Sequence, residues 1–391
     1  YKNLDKVTAD NDYQATFHLK RKQPAFVALL AGGYSPVYPC HVSPKKMRTH
    51  PIGTGPFKFV SLKQNEHVKF VKNQNYWKKG LPHLDGINWT IIKSRSTRVL
   101  AFVAGKFDFT FNVDVTIPLL KDVKAQAPHA ICELVTTNVS FNLIVNQFKP
   151  PFDNAKIRKA MVMTMDRKAF IDILSEGQNV QGGAMMPPPS GVWGMPPEFL
   201  KTVAGYSSDV AGNRAKARKI MESLGYGPDN KLKVKVSTRN IAVYRDPAVI
   251  LIDHMKEIYI DATLDTVETS NWHAKVARKD YMVGLNLTGI GVDDPDANFY
   301  ENYSCGSQRN YTGYCKPEME ALFEKQSMME DQAARKKLVW EIDKKLQEDA
   351  ARPMIMHGKA AQCWQPYVKG FVTHVNSIYN NWRMEDVWLD K

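Results

Sequence analysis

Alternating apolar and polar residues characterise the first third of the chain and predict β-strands there. Tyr13, Ala15, Phe17 and Leu19 occupy every second position, which is typical of a strand with one buried face. The same period returns at 57–59, 68–70, 86–92 and 107–111. A tight turn is expected at 53–56, and a single helix at 95–103 ends before Gly105. This part is therefore predicted to be mixed β with few helices.

A helical period replaces this alternation near residue 150. Asp153 or Asn154 is expected to cap a helix whose apolar stripe is Ile157, Met161 and Met165. Further helices are predicted at 166–177, 209–225, 246–258 and 318–347, with strands at 232–236, 260–264 and 281–287. The order strand, helix, strand at this spacing predicts a βαβ unit.

The whole pattern predicts two lobes. Strand-like residues return at 368–372 and 386–389, and 391 residues are too many for one ordinary core. We therefore expect lobe I to comprise residues 1–145 plus 366–391, and an inserted α/β lobe II to comprise 146–365. Two chain crossings, near 144–149 and 358–366, predict a hinge and a cleft between the lobes.

The chain is strongly basic, with 53 Lys and Arg against 40 Asp and Glu and a net charge of +13. This charge leaves two interpretations open: binding to nucleic acid or an anionic membrane, or lysine scattered over a soluble surface. The densest clusters, at 20–22, 45–46 and 335–337, are short, and no nucleic-acid motif accompanies them, so nucleic acid is not expected as a partner. No apolar run is long enough to span a bilayer. No signal-peptide pattern is visible at the start, so a targeting segment is expected to be absent from this chain.

Five cysteines occur, and none forms a CxxC pair. Cys305 and Cys315 flank a short, polar, glycine-containing loop, which favours a loop-closing disulfide in an oxidising compartment. Two free thiols are the alternative. Cys40, Cys132 and Cys363 are expected to be buried small side chains.

Catalytic signatures are missing from the sequence. No two histidines lie three or four residues apart, and there is no GxSxG or Walker motif. We therefore expect a protein that is not an enzyme and that holds no metal and no cofactor. The acidic cluster 293–296 fails as a calcium loop, because Phe299 stands where that loop requires glycine. It indicates a helix start capped by Asp294, or alternatively a carboxylate at the cleft edge that accepts hydrogen bonds from a ligand.

Several residues have the chemistry of an organic-ligand site. Arg239 follows the strand at 232–236, and ligands of α/β lobes gather at the carboxyl ends of strands, where an arginine suits a carboxylate. Tyrosine and tryptophan in loops offer flat apolar faces with one polar atom. Ordinary packing is the alternative for each. The candidates from this chemistry are Tyr34, Tyr38, Trp193, Arg239, Tyr244, Trp272, Asp293 and Asp294.

Ordered motifs along the chain carry a family resemblance. They are GTGPFKF at 53–59, NYW at 75–77, PHLDGI at 82–87, GKFD at 105–108, PPFDN at 150–154, IRKA at 157–160, DR at 166–167 and DDPD at 293–296. Together with Asn146 and the segment between Cys305 and Cys315, they resemble the family 5 extracellular solute-binding proteins of the oligopeptide, dipeptide and nickel-binding type. The resemblance spans nearly the whole chain in the expected order.

This resemblance implies a two-lobed periplasmic-binding-protein fold (type II, cluster C) whose lobe I is built from both chain ends. The cysteine pair resembles the small disulfide of the family, and Asn146 joins the candidate ligand residues. Arg239 matches an arginine that binds the ligand carboxylate in dipeptide-binding members. The acidic residue that holds the peptide amine in those members falls on Gly291. Family members also carry a further segment before Tyr1, so part of lobe I is expected to be missing.

The expected function is reversible capture of a peptide or peptide-like solute, in the periplasm, for the membrane permease of an ABC importer. The protein is expected to be monomeric and to have no membrane span of its own. Alternatives within the family are an opine, a sugar-like solute or a nickel chelate. Rivals outside it are a hydrolase that uses Asp293 or Asp294 and an interaction module that has lost its ligand.

Overall fold

A computed structural model describes residues 1–33, 35–111, 114–375 and 383–391. The strands are β1 (Leu4–Asn11), β2 (Gln14–Leu19), β3 (Phe57–Lys63), β4 (His67–Lys72), β5 (Gly86–Thr90), β6 (Ile131–Val145), β7 (Leu232–Arg239), β8 (Ile260–Val267), β9 (Val283–Gly289), β10 (Met354–Trp364), β11 (Val368–Lys369) and β12 (Trp388–Leu389). The helices are α1 (Phe26–Leu30), α2 (Pro44–Thr49), α3 (Arg95–Val103), α4 (Ile117–Gln126), α5 (Ala155–Thr164), α6 (Arg167–Ser175), α7 (Pro197–Leu200), α8 (Val210–Glu222), α9 (Ala242–Lys256), α10 (Thr269–Ala277), α11 (Pro295–Asn302), α12 (Pro317–Ser327) and α13 (Gln332–Glu348).

The chain divides into two compact units. Unit 1 comprises residues 1–31 and 138–358, and unit 2 comprises residues 32–137 and 359–391. The first residues join unit 1 through Arg21, whose guanidinium lies 2.5 Å from Glu324 and donates to the hydroxyl of Tyr300 at 2.9 Å. The sequence-based prediction assigns this segment to lobe I. The lobe boundaries at 145 and 366, and the hinge, stay predictions.

Unit 1 is built on a five-stranded sheet in the order β10-β6-β9-β7-β8. β7 runs parallel to β8 and β9, whereas β6 is antiparallel to β9. The predicted βαβ unit is confirmed as β7–α9–β8. One face of the sheet carries the main core, in which Phe141, Leu143 and Val145 of β6 pack with apolar residues of α5, α6, α8 and α9. Alternate residues of a strand point to opposite faces, so the even-numbered residues of β6 face the other side.

Helix caps in unit 1 follow the sequence prediction closely. Asn154, Asp166, Asp209 and Asp294 each accept a hydrogen bond from a backbone N–H of the first turn of the helix that follows. Each such cap satisfies a donor that the helix itself leaves unpaired, and contributes ~1 kcal/mol. Four helix starts could therefore be located from local chemistry.

Three sequence predictions about elements are wrong. Helix α9 begins at Ala242 rather than at Asp246, and Pro247 lies inside it, where its missing N–H removes only the bond to the Val243 carbonyl. The segment 318–347 forms two helices, because Asp331 accepts from the Ala334 N–H and starts α13 anew. Residues 107–111 form no regular strand and make a single antiparallel bridge, Phe109 to Trp364.

Unit 2 contains the antiparallel sheet β3-β4-β5 and the two-residue strands β11 and β12, which pair with each other. One apolar cluster joins Phe102 of α3 and Val123 of α4 to the end of β10. A disulfide between Cys132 and Cys363 crosses this cluster, linking residues 231 apart. The sequence predicts these two cysteines only as buried small side chains, and the disulfide between them was not predicted. The expectation of a buried side chain is wrong for Cys40, which is exposed and is free within the described chain.

Candidate functional site

The carboxyl ends of three parallel strands lie along one edge of the unit 1 sheet. β7 ends at Arg239, β8 is followed by Thr269 at the start of α10, and β9 is followed by the segment 290–294. Parallel strands place their carboxyl ends at the same edge, where α/β folds bind ligands. Arg239 and Asp293, both predicted from the sequence, therefore lie along one edge.

Arg239 is half-buried and is held by neutral groups. Its Nη1 donates to the Tyr244 hydroxyl at 2.7 Å, and its Nε and Nη2 each lie 3.3 Å from Thr269 Oγ1. The guanidinium lies 4.6 Å from the centre of the Tyr244 ring. Asp265, on the neighbouring strand β8, is bonded instead to Ser237 and Lys275.

No ion pair among the described residues gives Arg239 a carboxylate partner. Burial raises the pKa of Tyr244, so this hydroxyl is neutral and cannot compensate the charge. Burial and the positive charges of Arg239 and Arg309 lower the pKa of His273. This end of the sheet therefore favours an anion.

Asp293 carries an incompletely bonded carboxylate. Its Oδ2 accepts the backbone N–H of Val192 at 2.8 Å, and its backbone carbonyl accepts the indole N–H of Trp193 at 2.9 Å. Its Oδ1 is buried and has no hydrogen-bond partner within the described chain. Burial raises the pKa of Asp293 above its ordinary value. An acceptor of this kind suits an N–H or O–H donor of a ligand.

Asp294 has a structural role. It caps α11 by accepting from the Asp296 N–H at 2.9 Å, and its two oxygens receive Arg335 at 2.8 and 3.0 Å. Burial is the largest influence on the pKa of Asp294 and raises it, whereas the Arg335 guanidinium opposes the rise. The helix-start interpretation is confirmed, and a ligand contact by Asp294 stays a prediction.

Other candidate residues have mostly internal contacts. The Trp272 ring is completely buried against Ile144, Val276 and Tyr281. The side-chain N–H groups of Asn146 donate to the carbonyls of Lys279 and Tyr281, and its side-chain oxygen accepts from the N–H of Phe148.

Trp193 is buried, with its ring 4.6 Å from the Arg335 guanidinium. Tyr38 lies in unit 2 and is 62% exposed, and Tyr34 lies outside the described residues. Direct ligand contacts by Trp193, Tyr38, Trp272 and Asn146 stay predictions.

A buried polar face on β6 and β9 was not predicted. Asn142 donates to Thr288 Oγ1 at 2.9 Å and accepts from the Arg352 Nε at 3.0 Å. The alternation Asn138, Ser140, Asn142 was the available signal, because every second residue of a strand shares a face. This face lies opposite the main core and leads to the same region as Asp293, since Asn138 donates to the carbonyl of Ile290.

A cavity of about 610 Å³ lies within unit 2. The walls include β5, residues 106–111 and the ion pair between Arg98 and Asp114. The cavity lining contains none of the predicted ligand residues. It is therefore separate from the candidate site on unit 1.

The described ranges, 1–33, 35–111, 114–375 and 383–391, have neither a metal-ligand cluster nor a membrane-spanning helix. They contain no group of three or more His, Cys, Asp or Glu side chains that could hold a metal ion. None of their helices combines the length and the apolar character needed to cross a membrane.

Two curated relatives are similar over most of the chain. The glutathione-binding protein GsiB of Salmonella paratyphi A is 25% identical over 310 residues, which cover 76% of this chain and 57% of that protein. Heme-binding protein A of Haemophilus influenzae is 24% identical over 389 residues, which cover 95% of this chain and 67% of that protein. The chain thus spans little more than half the length of the first relative.

Solved structures have the same fold. DppA of Helicobacter pylori, in complex with the peptide STSA, matches with a TM-score of 0.85 and 21% identity, over 99% of this chain and 74% of that chain. AgaA of A. tumefaciens, in complex with agropinic acid, matches with a TM-score of 0.86 and 20% identity, over 100% of this chain and 78% of that chain. The predicted fold class, that of two-lobed periplasmic binding proteins, is confirmed.

The predicted disulfide between Cys305 and Cys315 is confirmed as well. The model of the bacterial extracellular solute-binding proteins, family 5 Middle, matches residues 1–310. These residues include Arg239, the segment 293–296 and most of both units. The chain belongs to the family 5 bacterial extracellular solute-binding proteins.

Proposed function

We propose that this chain is the solute-binding component of an ABC importer and captures a carboxylate-bearing peptide or peptide-like solute without changing it. The observation that carries the proposal is a half-buried Arg239 at the carboxyl end of β7, which among the described residues is held by Tyr244 and Thr269 and by no carboxylate. A guanidinium left without a carboxylate recognises one from a ligand through paired, charge-assisted hydrogen bonds.

Asp293 supplies the complementary group. Its Oδ1, which has no hydrogen-bond partner in the part of the chain that the structure describes, lies after β9, along the same sheet edge as Arg239. A solute with a carboxylate at one end and an amine or hydroxyl at the other would satisfy both groups. Peptides and glutathione have this character, and the names of the similar proteins include both.

Titration calorimetry with a dipeptide, glutathione and a C-terminally amidated peptide tests this assignment. The charge-assisted bonds to Arg239 are worth ~1.5–3 kcal/mol, so Arg239→Ala should weaken binding of the free carboxylate by about 10- to 100-fold. Arg278→Ala, an exposed arginine at the end of α10, is the matched control and should bind like the wild type. Equal affinity of the wild type and Arg239→Ala for the carboxylate ligand would contradict the proposal.

An opine is the second candidate, because Gly291 stands where a peptide-binding acidic residue is expected and AgaA was solved with agropinic acid. A sugar-like solute and a nickel chelate complete the panel. If the wild type binds an opine and Arg239→Ala binds it more weakly, the proposed site stands and the solute is an opine rather than a peptide. Mass spectrometry of the recovered ligand tests the hydrolase alternative, since hydrolysis would release cleaved products.

The periplasm is the proposed compartment, and the permease of the importer is the proposed partner of a monomeric binding protein. Two disulfides, Cys132–Cys363 and Cys305–Cys315, support an oxidising compartment. Purification from a periplasmic extract with both pairs oxidised is the expected result. Recovery from the cytoplasm with four free thiols would contradict this localisation.

A further inference from the structure

Helix α13 places a buried carboxylate at the start of the loop 183–194. Asp343 is fully buried, and none of the ion pairs within the described ranges includes it. Its Oδ1 accepts the backbone N–H of Ala184 at 2.8 Å, and its Oδ2 accepts that of Met185 at 3.3 Å. Gln347, one turn later on the helix, donates to Oδ1 at 3.1 Å. Burial raises the pKa of Asp343 to about 6, so the side chain is ionised at pH 7.5 and both oxygens accept. The fold thus buries a costly charge whose partners are N–H groups rather than a cation.

The start of this loop is packed closely around the carboxylate. A Cβ at Gly183 would collide with the carboxylate oxygens of Asp343, so the loop backbone lies directly against them. The Nε2 of His357, on β10, lies 2.9 Å from the carbonyl oxygen of Gly183. Asn298, on α11, donates to the carbonyl of Ala184 at 2.7 Å. Three elements therefore fix the first residues of the loop, and α13 contributes the charged contact.

The loop folds back on itself, so its two ends are tied together. The backbone N–H of Gly194 donates to the carbonyl of Met186 at 3.0 Å, and that of Gly191 donates to the carbonyl of Pro187 at 3.0 Å. A Cβ at either glycine would collide with the Met186 carbonyl, so this close approach requires glycine. Trp193 packs in the same apolar cluster as the first residues of the loop. A shift at the start of the loop would therefore move its end.

The end of the loop contacts the carboxylate of Asp293. The Val192 N–H occupies Oδ2 of Asp293, and the Trp193 indole N–H donates to the Asp293 backbone carbonyl. Helix α13 holds this end as well, because the indole N–H of Trp340 donates to the Trp193 carbonyl at 3.1 Å. Trp340 and Asp343 are three positions apart and so lie on one side of the helix. One helix thus holds both ends of a loop that occupies one oxygen of Asp293, while the other oxygen has no partner within the described residues.

We propose that Asp343 and Trp340 are positioning residues for the solute: they hold the loop so that Val192 fixes one oxygen of Asp293 and the other receives an amine or hydroxyl of the solute. This inference rests on the proposed function and assigns the preference for that donor to α13. An acceptor held in one orientation binds more tightly than one that must be ordered on binding. Arg239, at the end of β7, is held by other residues. Recognition of the solute carboxylate should therefore not depend on α13.

Titration calorimetry of the 391-residue chain at pH 7.5 tests this inference with alanylalanine, its desamino analogue propionylalanine and its C-terminal amide. The wild type should prefer alanylalanine to the desamino analogue by about 10- to 100-fold, because only the former gives Asp293 a charged donor. Asp343→Asn keeps the side-chain size but turns an N–H₂ group towards a backbone N–H, so this preference should fall below about threefold. The preference for the free carboxylate over the amide should persist, because it belongs to Arg239. A merely structural role of Asp343 would lower both preferences alike.

Two further variants complete the test. Trp340→Phe removes only the indole donor at the other end of the loop and should lower the amine preference by about 2- to 10-fold. This variant decides the question if Asp343→Asn is not recovered folded, as judged by circular dichroism. Asp349→Asn, at the end of the same helix, is the matched control. Asp349 accepts from the Tyr314 hydroxyl and pairs with Lys316 instead of the loop, so both preferences should equal those of the wild type.

Three results would overturn the inference. An amine preference retained in Asp343→Asn and in Trp340→Phe would leave the proposed function intact and remove α13 from it. An equal loss of both preferences would show that these residues only support the fold of unit 1. A wild type without any amine preference, whose binding is still weakened by Arg239→Ala, would remove Asp293 from the solute site, and the inference with it. Failure of the inference and failure of the proposed function are therefore distinguishable.

Discussion

Removal of the Arg335 guanidinium should destabilise unit 1 substantially. Arg335 is 5% exposed and contacts Asp294 at 2.8 Å and Asp296 at 3.3 Å, two side chains with exposures of 9% and 0%. Arg335→Met retains most of the side-chain volume and leaves two buried carboxylates without a cation. Breaking a buried ion pair by removing one partner costs ~3–5 kcal/mol, because the remaining charge is uncompensated.

The loss of stability caused by Arg335→Met should be larger at neutral pH than at acidic pH. Burial raises the pKa of Asp294, and Arg335 is the group that opposes this rise, so the pKa is higher still in Arg335→Met. The stabilising contribution of Arg335 requires an ionised carboxylate and is therefore full at neutral pH. It should shrink as the pH falls and Asp294 takes up a proton. The second change Asp294→Asn should recover part of the loss, because it removes the unpaired charge.

Urea unfolding at pH 7 and pH 4, analysed by linear extrapolation, measures these differences. Tryptophan fluorescence is a suitable signal, since the Trp193 ring lies 4.6 Å from the Arg335 guanidinium. Arg278→Met, at an exposed position, is the control and should change the free energy of unfolding by less than ~0.5 kcal/mol. A loss below ~1 kcal/mol in Arg335→Met, or an equal loss at both pH values, would refute the reasoning.

Two further predictions concern groups buried elsewhere. Burial lowers the pKa of His357 to about 4, so the fold holds the neutral ring, and stability should be lost as the pH falls from the unfolded pKa of 6.5 towards 4. His357→Gln should reduce the decrease in Tm between pH 7 and pH 4.5. The control His129→Gln, at an exposed position, should leave this decrease unchanged. An unchanged decrease in both variants would show that His357 does not cause the loss of stability at acidic pH. Replacing Cys132 and Cys363 by alanine should cost ~5 kcal/mol, and replacing Cys305 and Cys315 ~3 kcal/mol, because the closed loops span 231 and 10 residues. Calorimetric Tm values of the two double variants compare these losses, and the reverse order would contradict the loop-closure explanation.

The parts of the fold that were predictable depend on near neighbours along the chain. Asn154, Asp166, Asp209 and Asp294 were recognisable as caps because a cap and its helix are only a few residues apart. The strand-helix-strand unit was recognisable because its periods are 2 and 3.6 residues. The break between α12 and α13 was not predicted, because the helical period continues across 328–331, where only the cap at Asp331 marks the start of a second helix.

Residues of the candidate site could be predicted only where a residue's own chemistry and its place after a strand were enough to suggest a ligand contact. Arg239 was found because it follows a strand, and its neutral partners Tyr244 and Thr269 lie 5 and 30 residues away. The structural role of Asp294 beside Arg335 could not be separated from a ligand role, because the two residues lie 41 positions apart. Trp272 could not be recognised as fully buried, since burial depends on what packs over it.

The amino-acid sequence alone indicated the family, the fold class, four helix starts and the short disulfide of Cys305 and Cys315, because each depends on local pattern or on motifs kept in order. The tertiary structure decided which distant groups meet. It paired Cys132 with Cys363, placed Arg335 against two carboxylates, and left Arg239 and Asp293 incompletely bonded along one sheet edge. The physical reason is that charge compensation and burial depend on neighbours in space, and the path of the chain selects those neighbours.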